Sequence, residues 1–146
     1  MSQYYDVGDE TLWNPSNGAS RLFLEQLAIF EAEIGLPSGI GPMEADECQV
    51  DPAALDVFVN ALLAWHRGTR HVVVRALSEG FVVTVLALAE RAGVDLRWEV
   101  PSATPGPGVR DMHVPPRPPT PAGGSEDAWA SRLREKVHDL APFMAH

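Results

Sequence analysis

The stretch Phe81-Val82-Val83-Thr84-Val85-Leu86-Ala87-Leu88-Ala89 decides how this chain folds. It is apolar at nearly every position, so no rotation about a helix axis hides all of it on one side. It is too long and too rich in Ala and Leu for a strand, and Gly93 follows where a helix cap belongs. Val72-Val73-Val74 has the β-branching of a strand but runs straight into this segment. The whole reads as one helix from about Thr69 to Ala92, loosened at Gly80, with its second half buried all round. Such a helix is central, and the remaining elements have to cover it. Phe81–Ala89 is far shorter than the ~20 apolar residues that span a bilayer.

Working outward, the preceding helix starts cleanly. Asp51 is a good N-cap, and Pro52 suits the first helical position, where its missing N–H is no loss. Leu55, Phe58, Val59, Leu62 and Trp65 form its inner face, and Gly68 ends it. An earlier helix, about Ala19 to Ile34, carries Phe23, Leu27, Phe30 and Ile34 on one stripe, and Gly35 sits at its left-handed cap position. Leu36–Val50, broken by Pro37, Gly39, Gly41 and Pro42, reads as a loop. At the start, Gln3–Val7 reads as a short strand, Gly8-Asp9-Glu10 as a turn, and Thr11-Leu12-Trp13 as an antiparallel return.

Downstream, Val94–Val100 alternates strictly and predicts a strand. It needs Tyr4–Val7, Thr11–Trp13 or a second copy as its neighbour, because a lone strand is unstable. Pro101–Gly124 holds eight of the thirteen prolines and reads as a semi-rigid linker. Its Val114-Pro115-Pro116-Arg117-Pro118-Pro119 resembles a polyproline ligand, but composition alone accounts for a spacer. Ser125 then caps a last helix, with Glu126 and Asp127 in its first turn and Trp129, Leu133, Val137 and Leu140 on one stripe. That helix either folds back on its own core or lies in a partner's groove. The expected fold is α+β, mainly α: a three-helix core with a small antiparallel sheet, a Pro-rich linker and a C-terminal amphipathic helix. The compact part covers residues 1–100, the linker 101–124 and the final helix 125–146.

Charge is distributed unevenly. Residues 1–56 hold eleven carboxylates and one base, Arg21, while the other 90 residues are nearly neutral. The net −9 therefore belongs to one region. Such a field favours a basic protein partner and disfavours nucleic acid or an anionic membrane. An ordinary solvated face mixes signs, because like charges at helical neighbours cost a few tenths of a kcal/mol each. A half-chain with almost no bases accepts that repulsion, which points to a use for it.

Catalytic signatures are scarce. Glu44-Ala45-Asp46-Glu47-Cys48 lacks the alternating oxygen ligands, bend glycine and distal Glu of a calcium loop. Cys48 is the single cysteine, so it offers neither a disulfide nor a paired zinc ligand. Its acidic neighbours oppose thiolate formation, and a packed cysteine is the better account. His66 and His71, five apart, do not share a helical face and suit surface or capping roles. Phosphate-loop, dinucleotide, serine-hydrolase and zinc-protease motifs do not occur. No cofactor and no metal are implied. The N-terminus lacks the basic and apolar regions of a signal peptide, and the expected location is cytoplasmic.

Leu12-Trp13-Asn14-Pro15-Ser16-Asn17-Gly18, Gly35-Leu36-Pro37-Ser38-Gly39, Asp46-Glu47-Cys48 and Glu79-Gly80-Phe81 together resemble an uncharacterised family of small actinobacterial, Streptomyces-type proteins. The resemblance covers about residues 1–100. It implies a compact soluble domain ending near Val100 and assigns no activity.

The leading expectation is a non-enzymatic acidic binding protein that docks or neutralises a basic protein, in its sharpest form an immunity protein for a cationic toxin. Its binding residues would be Glu31, Glu33, Glu44, Asp46, Glu47 and Asp51. A second expectation is small-molecule binding or an accessory enzyme of bacterial secondary metabolism, with a pocket at Trp13, Trp65, His66 and Trp98. A third is a self-associating scaffold, a homodimer paired through Val94–Val100 or exchanged C-terminal helices.

Overall fold

Helix α3, Val72–Arg91, runs through the middle of the protein, and Phe81, Val82, Val83 and Val85 to Ala89 are all buried in it. The computed structural model describes residues 2–98 and 124–144, the first four of the latter as backbone only. Around α3 lie β1 (Tyr4–Val7), β2 (Glu10–Trp13), α1 (Asn17–Ile34), β3 (Glu47–Gln49), α2 (Pro52–Gly68) and α4 (Gly124–Met144). The fold is α+β and mainly helical, as its sequence pattern predicts.

The caps fall where their residue types place them. Asp51 accepts from the Ala53 N–H at 3.0 Å and Pro52 opens α2. Gly35 closes α1 at φ 75°, its N–H bonded to the Glu31 carbonyl. His71 takes a capping role: its Nδ1 accepts from the Val74 N–H at 3.3 Å and starts α3 three residues later than the pattern predicts.

The sheet corrects two expectations. It is mixed rather than antiparallel, in the order β2-β1-β3, with β1 antiparallel to β2 and parallel to β3. Its third strand, Glu47–Gln49, lies inside the segment read as a loop. Glu-Cys-Gln has no apolar alternation to reveal it; pairing with β1 makes it a strand.

Residues 94–98 are not a strand, although the alternation there is real. Val94, Leu96 and Trp98 turn partly inward, while Asp95 and Arg97 face out. Their backbone partner is a side chain. Asn60 on α2 accepts from the Arg97 N–H at 2.7 Å and donates to the Asp95 carbonyl at 3.1 Å. One buried amide therefore does what a neighbouring strand would have done. Residues 99–123, which include all but the last residue of the linker read over 101–124, lie outside the described residues; Gly124 already belongs to α4.

Aromatic rings join the layers. Trp13 packs on Tyr5 and Phe23, Phe23 on Phe81, Phe81 stacks on Phe30 at 4.4 Å, and Phe30 meets Trp65 edge-on. The contacts run from sheet to α1, into α3 and out to α2. α4 folds back on its own core: Trp129, Leu133, Val137 and Met144 are buried, and Leu140 packs beside them. Lys136 donates to Glu79 at 2.7 Å, and Leu140 lines a groove with Val83, so α4 runs parallel to α3.

Gly39 shows how tightly the loop before β3 lies on α2. Its φ is +78°, and a Cβ there would sit 2.6 Å from the Asp51 carbonyl oxygen and 2.9 Å from the Leu55 nitrogen, both backbone atoms. Gly39→Ala meets a left-handed conformation and a backbone clash together, so it should lose at least about 2 kcal/mol in urea unfolding. A loss of only a few tenths would mean that the loop does not lie against α2 as described.

Candidate functional site

The acidic residues with the clearest shared geometry lie on a two-residue hairpin. Glu44 and Glu47 exchange both backbone hydrogen bonds, each 2.9 Å. Between them Ala45 and Asp46 have φ of 50° and 67°. Two successive left-handed residues make a type I′ turn, which ordinarily takes Asn-Gly. The tip is tied down where β3 joins β1: the Tyr4 N–H reaches the Asp46 carbonyl at 2.8 Å, and Gln3 Nε2 donates to Asp46 Oδ1 at 3.3 Å.

Glu44 and Glu47 are exposed and directly opposite one another, an arrangement that costs stability for like charges. Among the described residues no cation pairs with either. The other expected binding residues are placed differently. Asp51 is exposed but occupied as the α2 cap. Glu33 is exposed near the end of α1. Glu31 turns into the following loop, where its Oε1 accepts from the Ser38 N–H at 2.8 Å and Oγ–H at 2.5 Å. It serves as a clamp, a role no spacing in the sequence announces. The hairpin therefore brings together Glu44, Asp46 and Glu47, and leaves Glu31, Glu33 and Asp51 elsewhere.

Ala45 is the strained member of the turn, since a left-handed alanine costs ~1 kcal/mol against a residue suited to that region. Ala45→Asn should raise stability by about that amount in thermal or urea unfolding, because Asn tolerates the conformation. Destabilisation would contradict the turn type.

The four residues of the expected pocket fall into two packed groups. Trp13 and Trp65 belong to the aromatic run. His66 and Trp98 both meet Trp129, 63 positions from His66, which reads in the sequence only as part of the last helix's apolar stripe. Trp129 Nε1–H donates to His66 Nδ1 at 3.1 Å, with the two rings stacked at 6.0 Å. Trp98 lies edge-on to Trp129 at 6.1 Å, and the Arg134 guanidinium sits 4.6 Å from the centre of its ring.

An indole only donates, so His66 Nδ1 is the acceptor and the neutral imidazole carries its proton on Nε2. Burial lowers the His66 pKa to about 4, and the Arg75 and Arg132 charges push the same way, while the Arg75 carbonyl and Glu79 oppose them. Nε2 is buried without a well-formed hydrogen bond. Glu79, under α4, is held below its ordinary value first by the Lys136 hydrogen bond.

Two open grooves mark the surface. One, about 580 Å³, runs between α3 and α4 past Ala76, Gly80, Leu140 and Phe143. The other, about 650 Å³, lies beside α1 at Gln3, Arg21, Leu24 and Met43. Neither takes in Trp13, Trp65, His66 or Trp98. Cys48 is fully buried, and burial first, then Asp6, raises its thiol to about 11 against the Gly41 carbonyl bond. Among the described residues no three His, Cys, Asp or Glu side chains gather as a metal site. α3 is long and apolar enough to cross a membrane by composition, and half of that window is buried inside the fold.

The fold and its sites define a small α+β domain without a recognisable catalytic constellation among the described residues. The chain belongs to DUF6086, a family of unknown function, whose model matches residues 1–146. The match takes in the proline-rich segment and α4, beyond the 100 residues over which the resemblance was read. No curated protein and no solved structure matches the chain.

His66 ties pH to the docking of α4. Well above pH 6.5 both folded and unfolded imidazoles are neutral. As pH falls toward 4 the unfolded chain binds a proton that the folded one refuses, so stability drops across that window and levels off below it. The expected loss attributable to His66 is about 3 kcal/mol, read from urea midpoints between pH 7 and 4. His66→Gln, which can still accept from Trp129, should remove that part of the dependence; an unchanged profile would show that His66 is not the titrating group.

Proposed function

We propose that this protein is a non-enzymatic binding module that docks a basic protein through its acidic hairpin. The observation carrying this is the cross-strand pair Glu44 and Glu47, held directly opposite each other with no cation pairing with either among the described residues. Repulsion of that kind is relieved when a cationic surface arrives, which also speeds the encounter. The uneven charge of the chain supports the same account, since Arg21 is the single base among the first 56 residues. The sharpest version is an immunity protein that masks a cationic toxin in the cytoplasm.

The decisive variant is Glu44→Lys with Glu47→Lys. Asp46 is left alone because its reversal would break the Gln3 bond and confuse docking with folding. Affinity capture from a lysate of the source organism, eluted with rising salt, should yield a stoichiometric basic protein. The double variant should bind it about tenfold more slowly, with a flatter salt dependence. Equal association rates for variant and wild type would sink the proposal.

A further inference from the structure

Eight large hydrophobic residues are exposed on the described surface; three stand on the first half of α3, Val72 (71%), Val73 (58%) and Leu77 (79%), and a fourth, Phe143 (82%) of α4, lines the α3–α4 groove with Ala76, Gly80 and Thr84. At 100° per residue, positions 72, 73, 76, 77, 80 and 84 share one side of α3, and none is charged. The other four exposed hydrophobics are spread over β1, α1 and α2. Together the first four are comparable to the largest apolar patches of ordinary monomers, which are often functional.

We propose that the groove is a two-fold interface between two copies of this chain, the α3 helices crossing antiparallel near Gly80. Three features of the patch suit a second copy. Gly80 has nothing within 4 Å of where a Cβ would lie, so two backbones can approach closely there. Phe143 lies near the level of residue 86 of α3, given the Lys136–Glu79 pairing and parallel helices. A two-fold axis at Gly80 sets that level opposite residue 74 of the other copy, between Val73 and Leu77, so each Phe143 covers the other copy's exposed patch.

Charge fits as well. Arg70, just before α3, and Glu90, in its last turn, are both exposed and have no ion pair among the described residues. The antiparallel arrangement brings Arg70 of each copy to Glu90 of the other, twice, and opposes the helix dipoles. Glu79 is paired with both Lys136 and Arg132, and Asp139 lines the groove beside them. With side chains of ordinary size, the four hydrophobics alone expose roughly 500 Å² per copy, so a pair reaches the ~1,000 Å² that a specific interface needs.

Sedimentation of the full chain from micromolar to millimolar concentration is the test. The wild type should approach twice 15.9 kDa. Leu77→Glu and Phe143→Glu should each stay at the monomer mass with an unchanged far-UV spectrum. Arg70→Glu should weaken the dimer about tenfold, and adding Glu90→Arg should restore it. That swap keeps the test sharp should the glutamate variants fold poorly. A monomeric wild type at every concentration overturns the proposal, as does a dimer that survives Leu77→Glu with its fold intact. A monomer that instead floats with phosphatidylcholine vesicles overturns it too, and assigns the patch to lipid.

Discussion

Everything in this fold answers to one constraint: the second half of α3 is apolar on every side and has to be covered on every side. α1 covers it through Phe23 and Phe30 stacked on Phe81, and the sheet packs on Phe23 through Tyr5 and Trp13. α2 supplies Leu55, Phe58, Val59 and Leu62. The remaining side falls to α4, whose Leu133 and Val137 are as deeply buried as anything in the core. A protein built this way treats its last helix as part of the core despite the proline-rich segment before it. The family match over the whole chain agrees with that, since it does not stop at residue 100.

The two ends of the molecule are held by different chemistry. At the sheet, a strained turn is stabilised by backbone bonds from β1, and the result is a rigid acidic tip. At α4, a neutral histidine accepts from an indole in a dry site, which works only while the imidazole is unprotonated. The first arrangement presents charge and the second excludes it. The acidic hairpin and the α3–α4 groove are built from different elements of the fold.

Much of the helical frame was legible because its signals are local. Asp51-Pro52, Gly35 and the all-apolar Phe81–Ala89 each carry their meaning within a few residues. Where meaning depended on distant groups, local pattern misled or stayed silent. The alternation of residues 94–98 was read correctly as one side in, one side out; its partner, the amide of Asn60, looks like any helical asparagine. β3 exists because β1 runs beside it. Ala45-Asp46 hides a type I′ turn for want of Asn-Gly. Glu31 reads as one more surface acid until Ser38 is brought to it. Of the candidate site residues, Glu44, Asp46 and Glu47 were found together because they are neighbours in the chain, whereas the link between His66 and Trp129 spans 63 positions and leaves no trace in spacing.

Amide hydrogen exchange on the full chain tests the central claim, that α4 is a structural cover for α3. The amides of residues 130–140 should exchange with nearly the same opening free energy as those of 82–89, the two helices becoming exposed together in one global unfolding. Exchange in α4 hundreds of times faster than in α3 would contradict it, and would make the last helix a detachable appendage on a core that closes without it.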